Sequence, residues 1–137
     1  MSEEAQKLAQ QVRVLEAYYS EFAQREGVLT NMYRDAAAAS EALRVVGDGP
    51  AEALVPVGAG AHVPASLRPG GGVVVDIGAG VAIEKDRESA MSYLEGRIKE
   101  VDAAMRDNSA RLSDVARQLE GARARLEQVV QAARPDV

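Results

Sequence analysis

Residues 54–85 read LVPVGAGAHVPASLRPGGGVVVDIGAGVAIEK, and this stretch decides the fold. Two nearly identical glycine turns occur in it twenty residues apart, VGAGA at 57–61 and IGAGV at 77–81. Short runs rich in apolar residues flank both turns, at 53–58, 61–67, 72–77 and 81–85. Such runs, joined by turns in which glycine supplies positive φ, are typical of paired strands. The stretch therefore predicts two successive β-hairpins.

These hairpins are not expected to be stable alone. An isolated hairpin is marginal in water, and the chain has one Phe, four Tyr and no Trp to cover it. The unpaired strand edges and the run VVV at 73–75 therefore predict pairing with other subunits. We expect this oligomer platform to be formed by Leu54, Val55, Val57, Val63, Leu67, Val73, Val75, Ile77, Val81 and Ile83.

Glycine and proline divide the chain into three segments. They are concentrated in 47–85 and rare on either side. This distribution predicts a helix over 5–46, a double-hairpin insert over 47–85 and a second helix over 86–134, all within a single domain 1–137. The signals that mark the helix ends are Gly47, Pro50, Asp86 and Pro135.

Both helical segments carry a heptad repeat of apolar residues, which is typical of a coiled coil. The seam of the first helix takes every seventh residue from Leu8 to Leu43 and from Gln11 to Val46. The seam of the second takes every seventh residue from Met91 to Ala133 and from Leu94 to Val129. In one antiparallel register the two seams match layer by layer, with Leu15 facing Ala122 and Phe22 facing Val115. We therefore predict a mainly α fold, a long antiparallel two-helix coiled coil with two β-hairpins inserted between the helices.

Two polar residues interrupt these seams, and the predicted register brings them one layer apart. Arg25 lies in the first helix and Asn108 in the second. We expect Arg25 to donate a hydrogen bond to the side-chain oxygen of Asn108, which would help to fix the register.

Some apolar residues fall outside the predicted seam. Val12, Val14, Tyr19 and Val130 gather at the end of the coil that is remote from the insert. One interpretation is that the apolar stripe of a two-helix coil is simply broad. The other is an adaptable apolar tip that contacts non-native chains or a partner helix.

Composition argues against several classes of function. A net charge of −5 disfavours nucleic-acid binding. The chain has no Cys and one histidine, His62, which disfavours zinc-hydrolase and thiol chemistry. Neither glycine turn opens a helix, so a phosphate-binding loop is not expected. With no signal sequence or membrane segment evident, we expect a cytoplasmic protein without cofactor, metal or catalytic residues.

The insert motifs, in their order, resemble those of archaeal prefoldin α subunits. The resemblance rests on LVPVG at 54–58, HVPASL at 62–67, VVVDIGAGV at 73–81 and IEK at 83–85. It implies a subunit of an α2β4 hexamer whose hairpins join into a platform with prefoldin β subunits. It further implies ATP-independent capture of unfolded proteins at the coil tips and delivery to a group II chaperonin.

Combined with this resemblance, the apolar tip becomes a candidate client-binding surface. We expect its members to be Leu8, Val12, Val14, Leu15, Tyr19, Leu126, Val129 and Val130. The alternative function is a coiled-coil scaffold or tether that binds one defined partner through the same residues.

Overall fold

The computed structural model describes residues 2–47, 51–68 and 70–134. Two long helices pack antiparallel with two β-hairpins between them, which confirms the predicted fold class. In chain order the elements are α1 (Glu3–Val46), β1 (Ala51–Gly58), β2 (Ala61–Leu67), β3 (Val73–Gly78), β4 (Val81–Lys85) and α2 (Arg87–Ala132). No helix in these described ranges is long and apolar enough to cross a membrane.

Local hydrogen bonds define where the helices begin and end. Ser2 Oγ accepts a hydrogen bond from the Ala5 N–H at 3.1 Å, and Asp86 Oδ1 accepts one from the Ser89 N–H at 2.7 Å. Each is an N-cap bond that satisfies a donor left unpaired by the first helical turn. α1 ends at Val46, and the next residue, Gly47, has a φ of +64°, which glycine adopts readily. The predicted stop signals outside the described residues are Pro50 and Pro135.

The two hairpins are antiparallel and have the same turn. In the first, Val55 lies opposite Val63, and a register shift precedes the turn. The central turn residues Ala59 and Gly60 both have positive φ, 51° and 77°. Positive φ at both positions is characteristic of the type I′ turn, whose twist matches that of paired strands. The second hairpin repeats this pattern at Ala79 and Gly80 (53° and 75°), so the predicted positive-φ turns are confirmed.

The chain forms two compact units. We call Met1–Met32 with Val101–Val137 the terminal unit, and Tyr33–Glu100 the hairpin unit. The core of the terminal unit is a cluster contributed by both helices: Val12, Leu15, Val115, Leu119 and Ala122, with Phe22 and Leu126 packed against it. This cluster contains both members of two predicted layers, Leu15 with Ala122 and Phe22 with Val115.

Within the terminal unit, the heptad frame of α1 differs from the prediction. Gln11, Tyr18 and Arg25 were assigned to the seam but are exposed, Tyr18 to 50%. The buried row is instead Ala5, Leu8, Val12 and Leu15. Both the predicted and the observed row contain Leu8 and every seventh residue after it, and both have the same period. Periodicity alone therefore does not show which row faces α2. Burying Ala5 and Val12 leaves Gln11 and Arg25 in water, which avoids the desolvation of two polar side chains.

In the hairpin unit, the first turn of α2 is tied to the last turn of α1. Arg87 donates from a guanidinium nitrogen to the main-chain oxygen of Leu43 at 3.1 Å. Ala36 and Ala90, one from each helix, are buried in this unit.

Candidate binding surfaces

The first hairpin presents apolar side chains to solvent. Val55 and Val63 lie opposite each other and therefore on one face, and both are exposed. Leu67 lies on the same face and is half-buried. Leu54, one residue along from Val55, projects from the opposite face and is 68% exposed. A monomeric protein rarely exposes so many contiguous apolar groups to water, so this face is a candidate for contact with another subunit.

The second hairpin repeats this arrangement. Val75 lies opposite Ile83, and both belong to the face that also carries Val73. Val73 and Val75 are half-buried, whereas Ile83 is 36% exposed. Three further residues assigned to the platform by sequence are exposed: Val57, Ile77 and Val81. Val74, on the opposite face from Val75, is exposed as well.

The terminal unit divides the eight tip residues into three groups. Three lie in or beside the helix–helix seam and are buried: Leu8, Val12 and Leu15. Three are half-buried near the end of α2: Leu126, Val129 and Val130. Two on α1 are exposed: Val14 to 43% and Tyr19 to 41%. Only part of the predicted set is therefore accessible to solvent.

Among the described residues of the terminal unit, two ion pairs join the helices. Arg123 Nη2 lies 2.9 Å from Glu16 Oε1, and Arg125 Nη2 lies 3.1 Å from Glu4 Oε1. All four side chains are about half or more exposed, so water and salt weaken these attractions. These ion pairs favour the observed alignment of the two helices, but they add little resistance to separation of the helices.

A cleft beside Tyr19 was not anticipated from the sequence. It has a volume of about 510 Å³ and is lined by Glu16, Tyr19, Ala116, Leu119, Glu120 and Arg123. The four α2 residues occupy positions 116, 119, 120 and 123, and such spacings of three and four place residues on one helix face. That spacing is a signal in the sequence, but the pairing of this face with Tyr19 depends on the corrected frame of α1.

Asn108 is a buried polar residue in the terminal unit, with 2% of its surface exposed. Its Nδ2 donates to the main-chain oxygen of Phe22 at 2.9 Å, while its buried Oδ1 has no hydrogen-bond partner among the described residues. Arg25 instead donates to Glu21 Oε1 at 3.2 Å and lies 5.5 Å from the centroid of the Phe22 ring. The predicted Arg25–Asn108 hydrogen bond is therefore wrong, because the corrected frame places Arg25 on the exposed side of α1.

The titratable side chains that were considered for catalysis or metal binding form no reactive site among the described residues. The pKa of Asp86 is held below its ordinary value of 3.8, first by the hydrogen bond from the Ser89 N–H, then by the Ser89 side chain and the charge of Lys85. This is the electrostatic signature of a helix N-cap. His62 lies exposed in β2 opposite Pro56. Among the described residues, no three His, Asp or Glu side chains are grouped as metal ligands.

Comparison with known proteins agrees with this architecture. A family model described as prefoldin subunit matches residues 1–132. The chain is 40% identical over 131 residues to the prefoldin subunit alpha of Nitrosopumilus maritimus (strain SCM1), covering 95% of this chain and 90% of that protein. It is 30% identical over 133 residues to the prefoldin subunit alpha of Pyrococcus horikoshii, covering 95% and 89%.

A solved structure shows the same fold. The cryo-EM structure of filamentous PFD from Methanocaldococcus jannaschii superposes with a TM-score of 0.67, over 85% of this chain and 98% of that chain, at 24% identity. The match to the family model extends over nearly the whole chain and includes both helices and both hairpins. The chain therefore belongs to the prefoldin family, as an alpha-type subunit, and is a non-enzymatic chaperone subunit that delivers unfolded proteins to chaperonin.

Proposed function

We propose that this chain captures unfolded proteins at the terminal unit and joins other prefoldin subunits through its hairpins. The observation that carries the first part is the exposure of Val14 and Tyr19 on α1, in the unit where the apolar residues near the end of α2 are half-buried. The client-contacting residues are those expected from the sequence: Leu8, Val12, Val14, Leu15, Tyr19, Leu126, Val129 and Val130.

These residues act at two stages. Val14 and Tyr19 meet a client first, because they are already exposed. Leu8, Val12 and Leu15 become available when the helix ends separate, since terminal turns fray and have few neighbours. The ion pair between Arg125 and Glu4 opposes that separation only weakly, because both side chains are more than half exposed.

Capture by such a surface is weak and unselective at each contact. An aliphatic side chain that is partly buried on binding contributes on the order of 1 kcal/mol. Apolar contacts have little directionality, so clients of varied sequence are accepted. Useful affinity then requires several tips that bind one client together, which is the effect of multivalency. The oligomer is therefore part of the binding mechanism.

The hairpins supply that oligomer. The partners are prefoldin β subunits in an α2β4 hexamer, and the receiving machine is a group II chaperonin in the cytoplasm. Support comes from family membership and from the exposed apolar faces around Val55 and Val75, which need a covering surface. The whole chain acts in this proposal as one prefoldin-like domain.

The tip assignment is tested with a triple variant, Val14→Ser, Tyr19→Ser and Val130→Ser. Its hexamer, assembled with an archaeal prefoldin β subunit, is expected to suppress the aggregation of several unrelated denatured proteins less than wild type does. Light scattering measures this effect. The matched control is Val45→Ser, because Val45 is an apolar α1 residue in the hairpin unit and is 76% exposed. Equal protection by triple variant and wild type would contradict the assignment, and protection of a single protein only would favour a tether.

The platform assignment is tested by a charge placed on one hairpin face. Val75→Lys is expected to prevent formation of the hetero-hexamer, because it would bury an unpaired ammonium group between subunits. Val74→Lys is the control, since Val74 lies on the same strand but on the opposite face. Native mass spectrometry of each variant mixed with the β subunit gives the masses. Normal hexamer from Val75→Lys would exclude this face from the platform.

A further inference from the structure

We propose that the exposed side of α1 in the terminal unit is a second helix–helix seam, which binds the same side of a second copy of this chain. We call this row the outer seam. Its members follow one another at alternating spacings of three and four residues: Gln11, Val14, Tyr18, Glu21, Arg25, Val28 and Met32. This is the spacing by which a helix presents one continuous stripe to another helix.

The outer seam is distinct from the row that packs on α2. With 3.6 residues per turn, it lies about a third of a turn around the helix from the buried row of Leu8, Val12 and Leu15. Three of its four apolar members are exposed, Val14, Tyr18 (50%) and Val28 (59%), and the fourth, Met32, is half-buried. Packing within the chain therefore leaves most of this stripe uncovered.

The order of apolar residues along the outer seam fits a two-fold antiparallel pair. When the pair is centred on Ala23, Tyr18 lies opposite Val28 of the second copy, and Val14 lies opposite Met32 of the second copy. Each aromatic or aliphatic side chain thus meets an apolar partner. Because the arrangement is two-fold, every such contact occurs twice, as an isologous interface requires.

The charges of the outer seam select the same arrangement. About the same centre, Glu21 faces Arg25 of the second copy, and Arg25 faces Glu21. A parallel pair in register would instead place Glu21 against Glu21 and Arg25 against Arg25, which is unfavourable. Within one chain these two side chains are 3.2 Å apart and about half exposed, so they are positioned to share their charges with a second copy.

The expected association is reversible. From residue 14 to residue 32 the outer seam is about 28 Å long at about 1.5 Å per residue. A contact of this length has most effect where chains are already held close together, because high local concentration offsets the entropy of association. Lateral contact between the coils of assembled particles is the situation in which the outer seam would operate.

Site-specific cross-linking tests the pairing, and the absence of native cysteine makes it unambiguous. In particles assembled from the full chain carrying Tyr18→Cys and Val28→Cys and a cysteine-free prefoldin β subunit, mild oxidation is expected to give a disulfide-linked dimer of this chain. The two cysteines of one helix are about 15 Å apart at about 1.5 Å per residue, too far for a disulfide within the chain. The matched control carries Ser20→Cys and Asn31→Cys, both exposed on the remaining side of α1. Dimer yield several-fold above this control is expected, and a yield equal to it would overturn the proposal.

Charge reversal provides a second test that does not depend on cysteine. Glu21→Arg and Arg25→Glu are each expected to abolish lateral association, measured by sedimentation velocity of the assembled particles. Mixing particles that carry one variant with particles that carry the other should restore it, since each then meets the opposite charge. Failure to restore association would overturn the proposal. Loss of client protection with unchanged association would overturn the proposal and assign the face to clients. Val14 belongs to both surfaces, but Glu21 and Arg25 are outside the predicted tip set, so these two variants test the outer seam without changing a tip residue.

Discussion

Replacing Asn108 with valine is expected to stabilise the helix pair. Leaving a buried acceptor such as Asn108 Oδ1 without a partner costs about 1–3 kcal/mol, which the substitution removes. Complete burial of a valine adds about 1.5 kcal/mol. The hydrogen bond from Nδ2 to the Phe22 oxygen is lost, at about 0.5–1.5 kcal/mol. Since Val101 and Val115 are already buried one heptad away on either side, crowding should be small. The net gain in the free energy of unfolding is about 2 kcal/mol.

Urea denaturation followed by far-UV circular dichroism measures this difference. Wild type and variant must be compared at one chain concentration, because oligomerisation raises apparent stability by mass action. Asn108→Asp is the control of matched shape. It is expected to destabilise the fold, because it buries a carboxylate against the Phe22 oxygen in place of a donor. Unchanged or reduced stability of Asn108→Val would refute the reasoning and would indicate that Oδ1 is satisfied in solution, for instance by a buried water.

Three further changes have expected outcomes. Ala59→Gly should stabilise the first hairpin by about 0.5–1 kcal/mol, because the strain of a positive φ at alanine costs more than the conformational entropy that glycine adds to the unfolded chain. Thermal unfolding measures this change. Gly58→Ala, at a position where φ is +113°, should have the opposite effect. The pKa of Asp86 is lower in the folded chain, so the stability that depends on the Asp86 charge is fully present above the ordinary value of 3.8 and is lost as the pH falls through the lowered folded value. Asp86→Ala should therefore destabilise the chain less at acid pH than at neutral pH, and urea titrations across acid pH measure this difference. Arg125→Gln should lower the free energy of unfolding by no more than about 0.5 kcal/mol but should speed amide hydrogen exchange in the first turn of α1. A loss of stability far above that value would show that the ion pair with Glu4 is stronger than its exposure indicates.

The hairpins were the most predictable part of the fold because their determinants are local. Positive φ at Ala59 and Gly60 follows from a turn type that few residue pairs adopt, and the same short motif at 77–81 produces the same turn. Each helix end also depends on a near neighbour, as Asp86 does on Ser89. Such features need no knowledge of distant residues, so one sequence is enough to place them.

The candidate binding surface was less predictable because burial in the terminal unit depends on which side of α1 meets α2. Val12 was expected outside the seam and instead lies in the core cluster. The cleft beside Tyr19 depends on contacts between residues about a hundred positions apart in the chain. The partner of Asn108 was missed for the same reason, since a rotation of α1 about its axis replaces Arg25 with the main-chain oxygen of Phe22.

The two heptad rows of α1 explain both why the predicted frame was wrong and why an outer seam is expected. A repeat of three and four residues shows that a row of side chains is suited to contact with another helix, but it does not identify that helix. α1 carries two such rows, and α2 has room for one. The row with Val12 is buried within the chain, whereas the row with Tyr18 stays exposed. The exposed row is matched to itself about Ala23, because Tyr18 then lies opposite Val28 and Glu21 opposite Arg25 of a second copy. This match is the ground for expecting a second copy there.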